Sequence, residues 1–285
     1  MQLNLHLLRL YFEVVQNNSF TKAATLLCIS QPAVSKAVKE LEHLLGTTLI
    51  DRTNRSGTIV LTESGELLYQ HARGIFAIEK SALKDMDALK QLGKGTLTLG
   101  ASTTVAGYWL IPYLAKFKQQ YPNIHINMVV HNTHDIEEAM LDGQFDLALV
   151  EGKPERDTLT VTTWQEESMG LWIKSNTTFS PTQCTWLLRE QGSGTRDVTE
   201  QFIQSQQWQI QSTIELGSNE AIAQAVSFGL GAAYLPNVVC KELAELGRIQ
   251  PVTTLNASTR SLYLLELPLR PLSAAATAFK MILFS

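Results

Sequence analysis

Residues 19–46, SFTKAATLLCISQPAVSKAVKELEHLLG, constrain this chain more than any other stretch. Ser19 is placed to cap a short helix whose buried side is Phe20, Ala23, Ala24 and Leu27. Cys28 and Ile29 fill a tight turn. Ser30 caps a second helix, and Pro32 falls in its first turn, where a missing N–H costs nothing. Val34, Val38, Leu41, Leu44 and Leu45 repeat at helical spacing and predict its packed face. Gln31, Ala33, Ser35, Lys36 and Lys39 are left for the other face. That set donates and accepts hydrogen bonds, reaches phosphates and presents a methyl group, as reading a DNA groove requires. The spacing fits a helix-turn-helix. An ordinary helical hairpin is the competing reading, and the flanking sequence argues against it.

Upstream, Leu3–Asn17 predicts an amphipathic helix with Leu7, Leu10, Tyr11, Val14 and Val15 on one side. Downstream, Gly46 closes the second helix. Thr48–Ile50, a polar turn holding Arg52, Arg55 and Gly57, and Thr58–Leu61 then read as a two-stranded wing. Two arginines at its tip suit backbone or minor-groove contact. The run AxxLxxSQPAVSxxxxxLExxLGxxLxxR, Ala24 through Arg52, and the following LTxxG, Leu61–Gly65, resemble the N-terminal domain of LysR-type transcriptional regulators. Ile50 stands where the family usually has an aromatic. The resemblance extends over nearly the whole chain. It implies a winged helix-turn-helix at 1–61 and a linker and dimerisation helix at 62–92. It also implies a two-lobed α/β, periplasmic-binding-protein-like effector domain at 96–285, so the fold class is α+β and multidomain. Expected contacts with double-stranded promoter DNA are Gln31, Ser35 and Lys36 at or near bases and Thr21, Lys22, Arg52 and Arg55 at phosphates. Ser30, Pro32 and Lys39 complete that face.

The net charge of −4 is uneven. Residues 1–95 hold 11 Lys and Arg against 9 Asp and Glu, whereas 96–285 hold 12 against 18. The basic excess belongs to the helix-turn-helix end but is weak, so non-specific DNA affinity per monomer is expected to be modest. Three cysteines, Cys28, Cys184 and Cys240, show no paired spacing, which points to neither a disulfide framework nor a metal knuckle. The N-terminus does not read as a signal peptide, and no run approaches the roughly 20 apolar residues of a membrane span. A cytoplasmic location with no membrane partner is the expectation.

Thr62 caps a long helix expected to reach about Leu92. Leu67, Leu68, Ala72, Ile75, Phe76, Glu79, Leu83, Met86 and Leu89 follow at three- and four-residue steps. An intersubunit helix pair is preferred to a core helix of the next domain. The family implies the same, with a dimer of dimers. Gly93-Lys94-Gly95 ends the helix. From Thr96 strands alternate with helices, the rhythm of a mostly parallel sheet covered on both faces. By resemblance, lobe one covers about 96–162 and 267–285 and lobe two about 163–266. The crossings then fall near Val161–Gln165 and Leu264–Pro268.

Ligands of open α/β sheets sit beyond strand carboxyl ends, at helix N-termini. Three segments occupy such places. Ser102, Thr103 and Thr104 make a hydroxyl rim, or a helix cap only. In Gly192-Ser193-Gly194-Thr195-Arg196 the glycines admit close approach and Arg196 offers a fork to an oxyanion. A tight turn with Arg196 paired to Glu190 or Asp197 is the alternative. Asn219 follows a third strand as ligand group or cap. Asp146 is expected to be structural. GSGTR and LGSNEAIAQAV resemble a branch that includes regulators of sulfur assimilation and carbon fixation. A small oxyanion or carboxylate effector is therefore expected, bound by Ser102, Thr103, Thr104, Gly194, Thr195, Arg196 and Asn219.

No Ser elbow, Walker loop or GxGxxG supports an enzyme. The six histidines carry no metal motif, and no cofactor or metal is expected. A solute-binding protein would suit the lobes but not the first 92 residues. The reading is a ligand-responsive transcriptional regulator, with RNA polymerase as a further partner.

Overall fold

The computed structural model describes residues 3–51, 58–90, 95–152, 154, 158–253 and 258–285, apart from the side chains of 81, 84–85 and 87–90. Arg52, Arg55, Gly57, the side chain of Leu89 and hinge residues Gly93 and Lys94 lie outside what is described. The chain divides into two compact units, Met1–Ser81 and Ala82–Ser285.

In the first unit α1 is Leu5–Gln16, α2 is Phe20–Leu26 and α3 is Gln31–Leu45. Strands β1, Ile50–Asp51, and β2, Val60–Leu61, pair antiparallel, Ile50 opposite Leu61. Helix α4 runs Glu63–Lys90. Leu8, Tyr11 and Val14 of α1, Ala23 and Ala24 of α2, and Val34, Val38 and Leu41 of α3 form one core. Leu44, expected in that core, is 46% exposed, while Leu45 next to it packs against the core. Two local devices fix the wing. Glu42 Oε1 accepts from the Leu49 and Ile50 amides at 2.9 and 3.3 Å. Thr62 Oγ1 accepts from the Gly65 amide at 3.0 Å, capping α4. Gly65 is required where it stands: a Cβ there would lie 2.1 Å from the Leu49 carbonyl oxygen, and Tyr11 donates to the Gly65 carbonyl at 2.8 Å.

The first half of the α4 stripe packs inside its own unit. Ala72 and Phe76 are buried there, with Leu68 and Ile75 against them, and Arg9 lies 3.6 Å from the Phe76 ring centroid. Leu67, Leu83 and Met86 stay exposed.

The second unit is a mixed, not mostly parallel, structure. Strands β3 (Thr96–Ser102), β4 (His125–His131) and β5 (Leu147–Glu151) run parallel, with β3 central. A π-turn at Val105–Trp109, α5 (Ile111–Gln120), α6 (Thr133–Leu141) and α10 (Ala274–Leu283) accompany them. Leu97, Leu99, Phe117, Leu149 and Phe279 are buried in this core. Two long strands, β6 (Thr160–Lys174) and β11 (Ser258–Glu266), lie antiparallel to one another over most of β11. Strand β6 then pairs with β9 (Ala233–Pro236) and β10 (Ile249–Pro251) from Met169 onward. β7 (Trp186–Leu188) and β8 (Thr213–Glu215) form a parallel pair, with α7 (Gly194–Ser205), α8 (Asn219–Phe228) and α9 (Asn237–Glu245) around them. The periodicity reading omits α9 and β10. A 15-residue strand covers roughly 50 Å, enough to serve two cores.

Candidate functional site

On the helix-turn-helix, both caps form as their residue types dictate. Ser19 Oγ accepts from the Lys22 amide at 3.2 Å and Ser30 Oγ from the Ala33 amide at 3.4 Å. Cys28 makes the turn with φ 55°, and Gly46 ends α3 at φ 68°. Gln31, Pro32, Ala33, Lys36 and Lys39 are exposed on α3, Ser35 is half-buried, and Thr21 and Lys22 are exposed at the start of α2. One end of one helix therefore presents an amide, a hydroxyl and two ammonium groups to a single side, while Val34 and Val38 anchor the opposite side.

In the second unit, side chains from distant segments meet where β3 ends and α7 and α8 begin. Asn219 Nδ2 donates to Thr104 Oγ1 at 2.8 Å and to Thr195 Oγ1 at 3.1 Å. Arg260 Nη1 donates to the same Thr195 oxygen at 2.9 Å. Arg260 Nε donates to Glu167 Oε1 at 2.7 Å, and Trp109 Nε1 donates to Glu167 Oε2 at 3.1 Å. Arg189 reaches Thr103 Oγ1 at 3.2 Å while its fork holds Glu190 at 2.8 and 2.7 Å. Thr195 thus takes two N–H donors, which leaves its own proton to give away. Among the described residues, four buried polar atoms around this seam have no hydrogen-bond partner: Ser102 Oγ, Ser193 Oγ, Asn219 Oδ1 and Glu151 Oε2. Orphaned polar atoms in a packed interior cost about 1–3 kcal/mol each and need a reason.

Two guanidinium groups there, of Arg189 and Arg260, meet three carboxyl groups, of Glu151, Glu167 and Glu190. Burial pushes the Glu151 carboxyl up, Glu167 adds to the rise, and Arg260 and Arg189 oppose it. For Glu190 burial also pushes upward, but the Arg189 hydrogen bonds and charge prevail and hold it below the usual carboxylate range.

Ser102, Thr103, Thr104, Thr195 and Asn219 are brought together. Arg196 is not the fork that the sequence suggested. Its Nε donates to Glu200 at 2.7 Å, and its Nη1 to Glu215 and to the Arg189 carbonyl, both at 2.7 Å. Helix geometry is the reason: the i, i+4 step to Glu200 turns Arg196 onto the outer side of α7. The alternative of a paired Arg196 named Glu190 or Asp197; the ion pairs seen are with Glu200 and Glu215. The GSGTR glycines also admit other parts of the protein: a Cβ at Gly194 would lie 2.1 Å from the Glu151 carbonyl oxygen, and one at Gly192 2.8 Å from the His134 side-chain Cβ. Asp146 is a structural tie, accepting from the Thr98 amide at 2.8 Å and from Arg270 at 3.0 Å.

Sequence reasoning missed Arg189, Arg260, Glu151 and Glu167. The available signal was a charge inside an apolar strand, as in RSLYLLE and LALVE, since such charges are buried only when paired.

An exposed helix-turn-helix face in one unit and a polar seam between two α/β cores in the other are the parts of a DNA-binding regulator with a small-molecule domain. Residues 90–284 match the LysR substrate binding domain, and residues 5–66 match the bacterial regulatory helix-turn-helix protein of the lysR family. The chain belongs to the LysR family of transcriptional regulators. It is similar to the "Uncharacterized HTH-type transcriptional regulator YeiE" of Escherichia coli strain K12, at 30% identity over 88% of this chain and 87% of that protein. It is also similar to the "Probable RuBisCO transcriptional regulator" of Porphyra purpurea, at 33% identity over 84% and 80%. The regulatory domain of Synechocystis PCC6803 CcmR in complex with 2-PG shares the fold, at 24% identity with TM-score 0.59, over 67% of this chain and 96% of that one.

Proposed function

We propose that this regulator is switched by a small polar effector seated at the seam between the β3 rim and the first turns of α7 and α8. The observation that carries this reading is the cluster of Ser102 Oγ, Ser193 Oγ and Asn219 Oδ1, unpartnered among the described residues, beside Arg260 and Arg189. The effector-contacting set is Ser102, Thr103, Thr104, Gly194, Thr195 and Asn219, with Arg260 taking the part expected of Arg196. A carboxylate or oxyanion carrying hydroxyl donors fits these groups: the arginines supply donors, and Asn219 Oδ1 needs a donor from the ligand. The CcmR complex with 2-PG and the kinship to RuBisCO regulators favour a small carboxylated or phosphorylated metabolite. Such a ligand shifts a conformational equilibrium only by binding one state better.

On the DNA side, two copies of α3 enter successive major grooves about 34 Å apart. Gln31, Ser35 and Lys36 read bases, and Thr21, Lys22, Arg52 and Arg55 hold phosphates. The exposed Leu67, Leu83 and Met86 of α4 pair with a second copy, and two such dimers make a tetramer working in the cytoplasm with RNA polymerase. Glu at Leu83 and Met86 then yields monomers in sedimentation. The switch is tested by a thermal-shift screen of small carboxylates, phosphorylated carboxylates and sulfur oxyanions, followed by calorimetry of the best compound. Thr195→Val and Asn219→Leu should each weaken it at least tenfold with promoter binding retained in a gel shift. Unchanged affinity in both variants would remove the seam as the effector site.

A further inference from the structure

The wing that follows α3 has little pairing of its own. Strands β1 and β2 match at two positions, Ile50 with Leu61 and Asp51 with Val60. A lone two-stranded hairpin is marginal in water, so its direction must be set by what it is tied to. Its base is tied by Glu42 and by Thr62, whose hydroxyl donates to the Thr48 carbonyl at 2.6 Å. A further tie reaches towards the tip. Asn18 Oδ1 accepts from the Ile59 amide at 2.8 Å, 41 residues away in the chain. Ile59 stands one residue beyond the Asp51–Val60 pair, on the tip side.

The backbone of Asn18 has a separate duty. It is left-handed, with φ 46°. Its amide donates to the Val15 carbonyl at 3.0 Å, and the Ser19 amide donates to the Val14 carbonyl at 3.1 Å. Those are the two bonds of a helix stop built on one left-handed residue. Glycine is the usual residue there and would end α1 just as well. Asparagine tolerates the same conformation and adds an acceptor. The stop has no use for that acceptor, and the wing does.

Asn18 also directly precedes Ser19, the cap of α2, whose first turn holds Thr21 and Lys22. One side chain therefore joins the start of α2 to the returning strand of the wing. These are the two elements proposed to hold phosphates, α2 through Thr21 and Lys22 and the wing through Arg52 and Arg55, which fall between Asp51 and Thr58 in the sequence. Phosphates stand at fixed intervals along a duplex, so two elements engage them together only when their own separation is fixed. We propose that Asn18 is a positioning residue for DNA binding, setting the spacing between the phosphate contacts of α2 and those of the wing. It rests on the proposed wing contacts and names the residue that holds them in place.

The test is a gel-shift double-mutant cycle on the full chain, with Asn18→Gly on one side and Arg52→Ala/Arg55→Ala on the other. Asn18→Gly keeps the left-handed stop and removes the acceptor. It should weaken binding by about fivefold, as one lost hydrogen bond does, and equally on cognate and random duplexes, because phosphates carry no sequence. The slope of log affinity against log salt should become shallower by about 1. In the Arg52→Ala/Arg55→Ala background the same change should cost less than about twofold. Hydrogen exchange across residues 58–62 should quicken in Asn18→Gly and stay at the parent's rate in Asn18→Asp, which keeps an acceptor. Equal losses in both backgrounds would overturn the proposal, since damage to α1, α2 or the whole fold does not depend on the wing arginines. Unchanged binding or unchanged exchange in Asn18→Gly would also overturn it. If Arg52→Ala/Arg55→Ala alone binds as the parent does, the wing contacts themselves are wrong and the role of Asn18 falls with them. If that variant is weakened and Asn18→Gly is not, Asn18 alone is wrong.

Discussion

In the helix-turn-helix unit most of the described groups singled out for DNA stand exposed on two adjacent helices, with Ser35 half-buried, whereas in the α/β unit the groups proposed for a ligand come from β3, α7, α8 and β11 and are mostly buried. The first arrangement is local. Ser30 caps α3, Val34 and Val38 hold it down, and Gln31 and Lys36 face outward as a direct result. The second is distributed: Thr104, Thr195, Asn219 and Arg260 touch only because two α/β cores are brought together. A local site should tolerate side-chain replacement without loss of fold, while a distributed buried site should couple binding to stability. All five tryptophans lie beyond residue 96. Tryptophan fluorescence therefore reports the α/β unit, and far-UV circular dichroism reports both units.

The largest effect is expected at Arg260. Arg260→Met leaves Glu167 buried without its cation, and breaking such a pair costs about 3–5 kcal/mol. The tryptophan-detected urea midpoint should fall accordingly. Adding Glu167→Gln should recover most of the loss without restoring effector binding. An unmoved midpoint in the single variant would mean that the pair contributes no coupling.

Next in size is Gly65→Ala. A methyl group 2.1 Å from the Leu49 carbonyl must push α4 away from the wing, at about 1–3 kcal/mol. The change should appear in circular dichroism but not in tryptophan fluorescence. A shared shift in both signals would show that the units unfold as one.

On DNA, Gln31→Ala or Ser35→Ala should cost about 1–3 kcal/mol at the cognate site and little on random sequence, with urea midpoints unchanged. Equal losses on both DNAs in a gel shift would show that these side chains position the protein without specifying sequence.

The smallest effect concerns pH. Burial raises the Glu151 carboxyl, and the charged groups acting on it are Arg260, Arg189 and Glu167. The folded state then keeps this proton to a higher pH than the unfolded chain does. Its contribution to stability is full below the unfolded value near 4.5 and is lost as pH rises through the folded value. Glu151→Gln keeps a donor and cannot ionise. Its thermal midpoint relative to the parent should therefore rise by about 1–3 °C between about pH 5 and pH 8. A difference independent of pH would place the Glu151 proton elsewhere.

The sequence by itself determined everything governed by short-range rules. Caps at Ser19, Ser30 and Thr62, the left-handed stop at Gly46, the 3.6-residue stripes of α1 and α3 and the strand–helix alternation after Thr96 follow from neighbours within a few residues. The hydroxyl rim and Asn219 were legible for the same reason, as polar residues at strand-to-helix turns. Tertiary structure decided the rest. Leu44 and Leu83 read as apolar positions like any other, yet both are exposed in the folded chain. Arg196 and Arg260 look equally able to hold an anion in sequence. The i, i+4 carboxylate turned one outward, and a long antiparallel strand carried the other beside Thr195, 65 residues away in the chain. Which cation meets which hydroxyl depends on strand register and lobe contact, and neither is encoded in any local window.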